Sequence, residues 1–347
     1  MRKLLLAFVM LALLVGGIGV YGATRFYERA AEPYRGYRDA DVFVDILSGT
    51  STASIGRQLV EAGVVADQRT FRIALWRSGR DRLLQAGEYR FAEAASALDV
   101  IDVLARGQVH LHTVTFAEGL TRWEMAEVFG RSEFGDADEF LAASERVDLI
   151  ADLDADATDL EGYLFPETYA LPRGADADDL VEAMVAQFRR TFDETLLAQA
   201  AERDMTVREV VTLASVIQRE TGKDDERPIV SAVYNNRLER RMPLQCDPTV
   251  IYALQLAGIY DGNLTRENLR YDSPYNTYVY PGLPPGPIAA PGAADLQAAL
   301  APADVSYVYF VSRNDGSHVF ADTLREHNRN VREYQVEYFR RRRAAGQ

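Results

Sequence analysis

Residues 206–222 read TVREVVTLASVIQRETG, and this stretch has the apolar spacing of an amphipathic helix. Thr206 and Glu209 have the three-residue spacing of a capping box, which predicts that the helix begins at Val207. The apolar residues that share one face are Val207, Val210, Val211, Ala214 and Ile217. The polar side carries Arg208, Thr212, Ser215 and Arg219. We therefore predict a helix over residues 207–220 with one buried face.

Glu220 occupies the last turn of this predicted helix, at the edge of its apolar face. The negative end of the helix dipole and partial burial both disfavour a charged carboxylate there. Each effect raises the pKa of the carboxyl, as a general acid requires. Gln218 falls within the apolar stripe. On this stretch alone, an ordinary exposed glutamate at a helix end remains the simpler interpretation.

The chain around this helix has the pattern of a mainly helical region. Residues 176–204 predict one long amphipathic helix or a pair, and residues 225–242 predict another helix. Residues 247–258 predict a third, with Asp247 as N-cap and Pro248 in the first turn. Helices therefore lie on both sides of the 206–222 stretch.

Strand patterns occur in two other places. Residues 41–115 alternate between strand and helix patterns within a short length, which indicates a small α+β module. Residues 305–320 predict a β-hairpin whose turn contains Asn314 and Gly316, and a terminal helix follows it.

The N-terminus carries an uncharged apolar run, LLLAFVMLALLVGGIGVYGA, at residues 4–23. As a helix it would be about 30 Å long, the thickness of a bilayer core. A cleaved signal peptide is the alternative, but the large Tyr21 occupies the −3 position of the plausible cleavage site. Arg2 and Lys3 precede the run and predict a cytoplasmic N-terminus with the rest of the chain outside.

Composition excludes several classes of function. The net charge of −14 argues against nucleic acid as a partner, because a nucleic-acid backbone requires a basic face. Cys246 is the only cysteine, so an internal disulfide or a cysteine-based zinc site is excluded. With four histidines and no histidine pair at ligand spacing on one helix face, we predict neither a metal site nor a cofactor.

A loop rich in proline and tyrosine, SPYNTYVYPGLPPGPIAAPG, covers residues 273–292. Prolines hold such a segment extended and rigid. Tyrosine rings and amides suit a sugar chain, because they offer apolar faces and hydrogen bonds. We predict that Asn276, Thr277 and Tyr278 contact the substrate, although composition also fits a surface loop packed on its own prolines.

Five stretches, in order, resemble the motifs of the YceG-like family, whose characterised members are endolytic murein transglycosylases. They are EGYLFPETY (161–169), LASVIQRET (213–221), LQCDPTVIYAL (244–254), SPYNTYVYPGLPPGPIAAPG (273–292) and FADTLREHNRNV (320–331). Members commonly have Glu at the position of Gln218 and a small hydroxyl residue at the position of Cys246. The first departure leaves Glu220 as the only acid of its motif.

The resemblance implies an α+β fold class with an N-terminal transmembrane helix, a small LysM-like α+β subdomain and a mainly helical catalytic domain with a β-hairpin. The predicted boundaries are a cytoplasmic tail (1–3), a transmembrane anchor (4–23), a stalk (24–40), a LysM-like subdomain (41–115), a YceG-like catalytic domain (116–338) and a basic C-terminal tail (339–347).

The resemblance also implies that Glu220 is the catalytic glutamate and that the substrate is a peptidoglycan glycan strand. The implied lyase cuts the MurNAc–GlcNAc bond within the strand and leaves a 1,6-anhydroMurNAc end. One carboxyl suffices if Glu220 protonates the leaving oxygen and then accepts the proton of the attacking 6-hydroxyl. We expect Asp247 to support the site, and Glu161 and Glu167 to line the groove.

Two other functions remain open. A muramidase would hydrolyse the same bond with Asp247 as its second carboxylate. A membrane-anchored glycan-binding or scaffold protein would leave the strand intact. The family's setting is the inner membrane, with the catalytic domain in the periplasm beside peptidoglycan synthases, where the enzyme releases growing strands.

Overall fold

The computed structural model describes residues 2–344. Met1, in the predicted cytoplasmic tail, and residues 345–347, in the predicted basic tail, lie outside the described residues. The α-helices are α1 (Arg2–Arg29), α2 (Thr52–Glu61), α3 (Gln68–Ser78), α4 (Ala97–Ala105), α5 (Arg122–Gly130), α6 (Ala137–Ala143), α7 (Ala177–Thr191), α8 (Glu194–Glu202), α9 (Val207–Glu220), α10 (Arg227–Glu239), α11 (Asp247–Leu256), α12 (Ala293–Leu300), α13 (Leu324–Val331) and α14 (Tyr338–Ala344). The β-strands are β1 (Val42–Ile46), β2 (Gly87–Phe91), β3 (Leu111–Thr115), β4 (Thr168–Pro172), β5 (Tyr309–Ser312) and β6 (His318–Ala321).

The chain forms two compact units. Unit 1 comprises residues 1–112 and 170–174, and unit 2 comprises residues 113–169 and 175–347. The chain passes from one unit to the other within β3 and β4, which form a two-stranded sheet. The predicted combination of helices with a few strands is confirmed.

Unit 1 is a small α+β module. β1 and β2 pair antiparallel, with Val44 opposite Tyr89, and α2, α3 and α4 supply most of the remaining core. Ser51 caps α2 and Asp67 caps α3 through side-chain oxygens that accept backbone N–H bonds. Phe71, Tyr89 and Leu104 are among the fully buried side chains of this core.

The segment predicted to be a stalk packs on unit 1 instead. α1 continues to Arg29, and Ala30 is fully buried in the core of unit 1. Tyr34 and Ala95 then exchange two backbone hydrogen bonds of 3.0 and 3.2 Å, and Gly36 N–H donates to Gly63 O at 2.8 Å. The polar composition of this segment predicted a solvated stalk. Instead, the backbone groups of Tyr34 and Gly36 form hydrogen bonds with the backbone of unit 1.

The predicted membrane anchor at residues 4–23 lies within α1. Among the residues that the structure describes, no helix combines the length and apolar character needed to span a membrane. The anchor is therefore not confirmed and stays a prediction.

Helix α9 lies at the centre of unit 2 and packs against α8, α10, α11 and α12. Thr206 and Glu209 form the predicted capping box, so the helix begins at Val207 as expected. Thr212 and Ser215, predicted on the polar side, are buried. The Ser215 hydroxyl accepts a hydrogen bond from Ile288 N–H at 3.0 Å and donates to Thr212 O at 2.7 Å, because the proline-rich loop covers this side.

The other predicted elements of unit 2 are present. α7 and α8 form the predicted helix pair, and Thr121 with Glu124 caps α5. β5 and β6 form the predicted antiparallel hairpin. The terminal helix is broken into α13, a π-helical segment at Arg332–Glu337 and α14.

Candidate active site

A cavity of about 310 Å³ lies at the C-terminal end of α9. Its lining comes from α9, α10, α11, α13, the 273–292 loop and the β5–β6 hairpin. The lining side chains are Glu220, Tyr234, Arg237, Leu244, Gln245, Asp247, Tyr278, Phe310, Val311, Ser312, His318 and His327. The cavity therefore joins the predicted catalytic helix to segments that lie far from it in sequence.

Glu220 is the last residue of α9, and its carboxyl faces the cavity. The hydroxyl of Tyr234 on α10 donates to Glu220 Oε1 at 2.8 Å. Burial raises the pKa of Glu220 above its usual value, while the neighbouring Cys246 thiol and the Tyr234 hydroxyl act in the opposite direction. The net pKa is raised, so the carboxyl retains a proton at a higher pH than an exposed glutamate.

Asp247 and Tyr278 meet at the edge of the same cavity. The Tyr278 hydroxyl donates to Asp247 Oδ1 at 2.6 Å. Asp247 was expected to cap α11, but it is the first residue of that helix and Cys246 occupies the N-cap position without a side-chain bond. The Asp247 carboxylate therefore serves the cavity, and its charge raises the pKa of Glu220 further.

Asn276 and Thr277, predicted as substrate contacts, are buried and do not line the cavity. The Asn276 amide donates to Tyr271 O at 2.7 Å, and the Thr277 hydroxyl accepts from Cys246 N–H at 3.0 Å. The Thr277 bond holds the loop against the start of α11, and the Asn276 bond closes the loop on itself. We therefore do not retain either side chain as a direct substrate contact.

Glu161 and Glu167 also lie away from the cavity lining. Glu161 is buried, and Oε2 accepts bonds from Arg122 N–H at 3.1 Å and the Tyr252 hydroxyl at 3.4 Å. Burial raises the pKa of Glu161 to about 8. Glu167 is exposed and its side chain accepts from Thr168 N–H at 3.1 Å. The structure gives both glutamates local hydrogen-bonding roles.

Sequence reasoning missed the hairpin's contribution to the site. His318 on β6 lines the cavity, and its Nδ1 lies 2.7 Å from Glu226 Oε2. Glu226 Oε1 also accepts the backbone N–H of His318 at 2.9 Å. This histidine follows the predicted turn directly, but a histidine in a hairpin gives no signal of its own that it approaches α9.

Gln218 has a specific partner. In the amide orientation that satisfies both groups, its nitrogen lies 3.1 Å from Asp295 Oδ1. Asp295 is fully buried and accepts a bond from Arg227 Nε at 2.7 Å. Burial raises the pKa of Asp295 to about 6, and Arg227 lowers it. Gln218 therefore cannot be replaced freely by an apolar residue, because its amide donates a hydrogen bond to the buried Asp295 carboxylate.

One cluster in unit 1 has metal-ligand types. Potential ligand atoms of Glu88, His110 and His112 all lie within 4.8 Å of one another. However, Glu88 is already bound by His112 at 2.7 Å and by Arg173 at 2.7 Å. A divalent cation would have to compete with the guanidinium for the carboxylate, so we assign no metal to this cluster.

Comparison with known proteins agrees with this arrangement of motifs. The model of the YceG-like family matches residues 44–333. The chain belongs to the YceG-like family. An endolytic murein transglycosylase of Bacillus subtilis (strain 168) is 30% identical over 338 residues, covering 93% of this chain and 91% of that protein.

Two further relatives extend the comparison. An endolytic murein transglycosylase of Streptococcus pneumoniae serotype 2 is 29% identical over 325 residues, which is 84% of this chain and 58% of that longer protein. A crystal structure of a YceG-like protein from Listeria monocytogenes matches with a TM-score of 0.57 and 28% identity, covering 84% of this chain and all of the other. The fold of this YceG-like chain is therefore shared with a solved member.

Proposed function

We propose that this YceG-like protein is a peptidoglycan lytic transglycosylase, a lyase, with Glu220 as its catalytic acid and base. The observation that carries the proposal is the Glu220 carboxyl, which has a raised pKa and faces an open polar cavity. The names of the curated relatives supply the substrate, a murein glycan strand. Their description as endolytic supports cleavage within the strand rather than at its end.

In the first step, Glu220 donates its proton to the glycosidic oxygen of the MurNAc–GlcNAc bond as the bond between that oxygen and C1 of MurNAc breaks. The released GlcNAc carries away the proton as a 4-hydroxyl. The raised pKa of Glu220 favours the protonated form that this step requires. The hydroxyl of Tyr234 holds Oε1 and fixes the direction of the carboxyl.

In the second step, the 6-hydroxyl oxygen of the same MurNAc bonds to C1, and its proton passes to the Glu220 carboxylate. The product end is a 1,6-anhydroMurNAc, and Glu220 is again protonated. Because the nucleophile belongs to the substrate, its high effective concentration replaces a bound water. A second carboxylate is therefore not required for the chemistry.

A muramidase is the second candidate, because Asp247 lines the same cavity as Glu220. A hydrolase places two carboxylates across the scissile bond, one for the leaving oxygen and one for the nucleophile or water. In this protein the Asp247 carboxylate accepts a hydrogen bond from the Tyr278 hydroxyl. We therefore assign Asp247 a positioning role in the lyase reaction.

The deciding experiment is mass analysis of glycan strands incubated with the protein and with Glu220→Gln. Anhydro ends within shortened strands are expected for the wild type and not for the variant. Reducing ends would instead identify a hydrolase, and an unchanged strand that still binds would identify a non-catalytic glycan-binding or scaffold protein. Persistent anhydro ends with Glu220→Gln would refute the assignment of this residue.

We also propose that the apolar run at residues 4–23 anchors the enzyme in the inner membrane with the catalytic unit outside the cytoplasm. The LysM-like small unit would then bind a glycan strand close to the synthase that extends it, and cleavage would terminate the growing glycan strand. The apolar composition of the run and the cell-wall activity named for the relatives support this setting. Membrane fractionation of the full chain, followed by protease treatment of spheroplasts, tests it; recovery in the soluble fraction would contradict it.

A further inference from the structure

Arg237 on α10 is a buried cation with an incomplete set of partners. The residue is 8% exposed and lines the same cavity as Glu220. Nε donates to Val308 O at 2.7 Å, and Nη1 donates to Leu244 O at 2.6 Å and to Pro243 O at 3.3 Å. A guanidinium has five N–H donors. These contacts use three, which leaves the two on Nη2.

No carboxylate lies within ion-pair distance of Arg237 among residues 2–344, the part of the chain that the structure describes. By contrast, Arg227 has similar exposure, 7%, and pairs with Asp295 at 2.7 Å. A buried charge is normally paired, because its desolvation is otherwise uncompensated. The guanidinium of Arg237 also lies over the Tyr309 ring, 5.4 Å from its centroid. In the described part of the chain its partners are therefore backbone carbonyls and one aromatic ring, without a carboxylate.

The unused group of Arg237 is accessible. Nη2 has no hydrogen-bond partner among residues 2–344 and is not a fully buried atom, and Arg237 is one of the residues that line the cavity. Ser312 and His318 line the cavity as well. Glu226 occupies Nδ1 of His318. The cavity lining therefore combines Arg237 and the hydroxyl residue Ser312 with the acidic residues Glu220 and Asp247.

We propose that Arg237 binds a carboxylate of the peptide attached to MurNAc, next to the bond that Glu220 cleaves. The proposal rests on the proposed function and names which part of the substrate the cavity recognises. The sugar rings of a glycan strand are uncharged. The peptide on the lactyl group of MurNAc is the substrate's source of carboxylates near the cleaved bond, and the planar guanidinium matches a carboxylate.

The proposal predicts a preference for strands that carry peptides. Hydrogen bonds to charged groups contribute enough to change kcat/KM by roughly tenfold to a hundredfold. The preference should disappear when the carboxylates are converted to amides, because a neutral amide forms no ion pair with Arg237. It should also disappear when the peptides are removed and the lactyl carboxylate that this exposes on MurNAc is converted to an amide.

The test uses the full chain and three preparations of one strand population: peptide-bearing, peptide-bearing with amidated carboxylates, and peptide-free with the exposed lactyl carboxylates amidated. Formation of anhydro ends gives kcat/KM for each. We expect the wild type to favour the first preparation about tenfold or more, and Arg237→Gln to bring the ratio close to one. Arg237→Lys should retain part of the preference, since it keeps the charge but loses the fork.

Arg240→Gln is the matched control. Arg240 lies on the surface just past the end of α10, where its Nη2 contacts Ser306 O at 3.4 Å, and it does not line the cavity. This variant should keep the wild-type ratio. A loss of preference in Arg240→Gln equal to that in Arg237→Gln would overturn the proposal.

Two further outcomes also decide against it. If the wild type cleaves all three preparations equally, the subsite is refuted, whatever the variants do or whether they fold. If Arg237→Gln lowers all three rates by the same factor, its role is only to hold the Val308 and Leu244 carbonyls. If the wild type cleaves none of the preparations, the proposed function fails, and the subsite is tested by strand binding instead. Preferential binding of carboxylate-bearing strands, lost in Arg237→Gln, would support the subsite. Equal binding of all three preparations would refute it.

Discussion

The hydroxyl of Tyr234 lies 2.8 Å from Oε1 of Glu220 and joins the middle of α10 to the end of α9. The Tyr234 ring is fixed by an edge-on contact with Phe310, with ring centroids 6.0 Å apart. Burial raises the pKa of Glu220, and the hydrogen bond from Tyr234 lowers it. The proton on the proposed catalytic carboxyl is therefore controlled by opposing contacts, which single substitutions can shift in either direction.

Tyr234→Phe removes the hydroxyl and keeps the ring. Without this donor the Glu220 carboxylate is less stable, so the pKa of Glu220 rises. Because the reaction starts from the protonated carboxyl, activity should persist to higher pH, with the alkaline limb of the kcat/KM profile moved to higher pH. The maximum of kcat/KM should fall by about tenfold, since the carboxyl loses its orienting bond. A pH profile of anhydro-end formation measures both changes.

Tyr169→Phe is the control for this variant. Tyr169 is also buried, and its hydroxyl donates to Phe165 O at 2.7 Å, away from the cavity lining. The loss of one buried hydrogen bond should lower stability without moving the pH profile. An alkaline limb unchanged in Tyr234→Phe would contradict the role of Tyr234.

Asp247→Asn should move the same limb in the opposite direction. The Asp247 charge adds to burial in raising the pKa of Glu220, so removing it lowers that pKa. The alkaline limb of the kcat/KM profile should therefore move to lower pH. The Asn oxygen can still accept the Tyr278 hydroxyl, so the local geometry is kept.

The size of the rate loss in Asp247→Asn separates the two candidate reactions. A lyase that uses the substrate's own hydroxyl should lose less than about tenfold at the pH optimum. A hydrolase that depends on Asp247 as a base or nucleophile would lose about 10²-fold to 10⁴-fold. The latter result, together with reducing ends in the products, would require the muramidase mechanism.

The features of this site that could be predicted from the sequence are those that depend on residues close together in the chain. The start of α9 at Val207 follows from Thr206 and Glu209, and the position of Glu220 at its end follows from helical spacing. A capping box and a helix period involve neighbours within a few residues. Because both features depend only on residues close in sequence, both were predicted correctly.

The failures involve partners distant in sequence. Asn276 and Thr277 look like exposed loop residues, but Thr277 bonds to Cys246 and Thr249, about thirty positions away, and Asn276 is buried within its own loop. Arg237 and His318 reach the cavity because the hairpin packs against α10. Composition reports which groups are present, and only packing decides which of them face the substrate.

Glu161→Gln should change how stability depends on pH. Burial raises the pKa of Glu161 to about 8 from an ordinary value of 4.5. The folded state therefore binds the proton more tightly than the unfolded state does. The stability contributed by this group is complete below pH 4.5 and is lost as the pH rises through about 8. Glutamine does not ionise, so the variant avoids this loss.

Between pH 4.5 and 8, the free energy of unfolding of Glu161→Gln should therefore rise by about 2–4 kcal/mol relative to that of the wild type. Urea denaturation at a series of pH values measures it. Glu167→Gln is the control, since Glu167 is exposed and should give a constant difference. Parallel curves for Glu161→Gln and the wild type would show that Glu161 is ionised in the folded protein.

Gln218→Glu should destabilise this chain. The Gln218 amide nitrogen lies 3.1 Å from Asp295 Oδ1, so the substitution places a second carboxyl group, partly buried, against the fully buried Asp295 carboxyl. Two such groups cannot both ionise at this distance without a large cost. Their folded pKa values rise above the unfolded ones, so stability is retained at low pH and lost as the pH rises through the raised values. At pH 7 we expect a loss of about 1–3 kcal/mol.

The double variant Gln218→Glu with Asp295→Asn tests this pairing. It exchanges the amide and the carboxylate between the two positions, so one charge again faces one amide donor. Asp295→Asn alone should also be destabilising, because Arg227 loses its partner at 2.7 Å. The loss in the double variant should then be smaller than the sum of the two single losses, by at least about 1 kcal/mol in a double-mutant cycle. Additive losses would mean that Gln218 and Asp295 act independently, and the departure from the family residue would then have no structural compensation in Asp295.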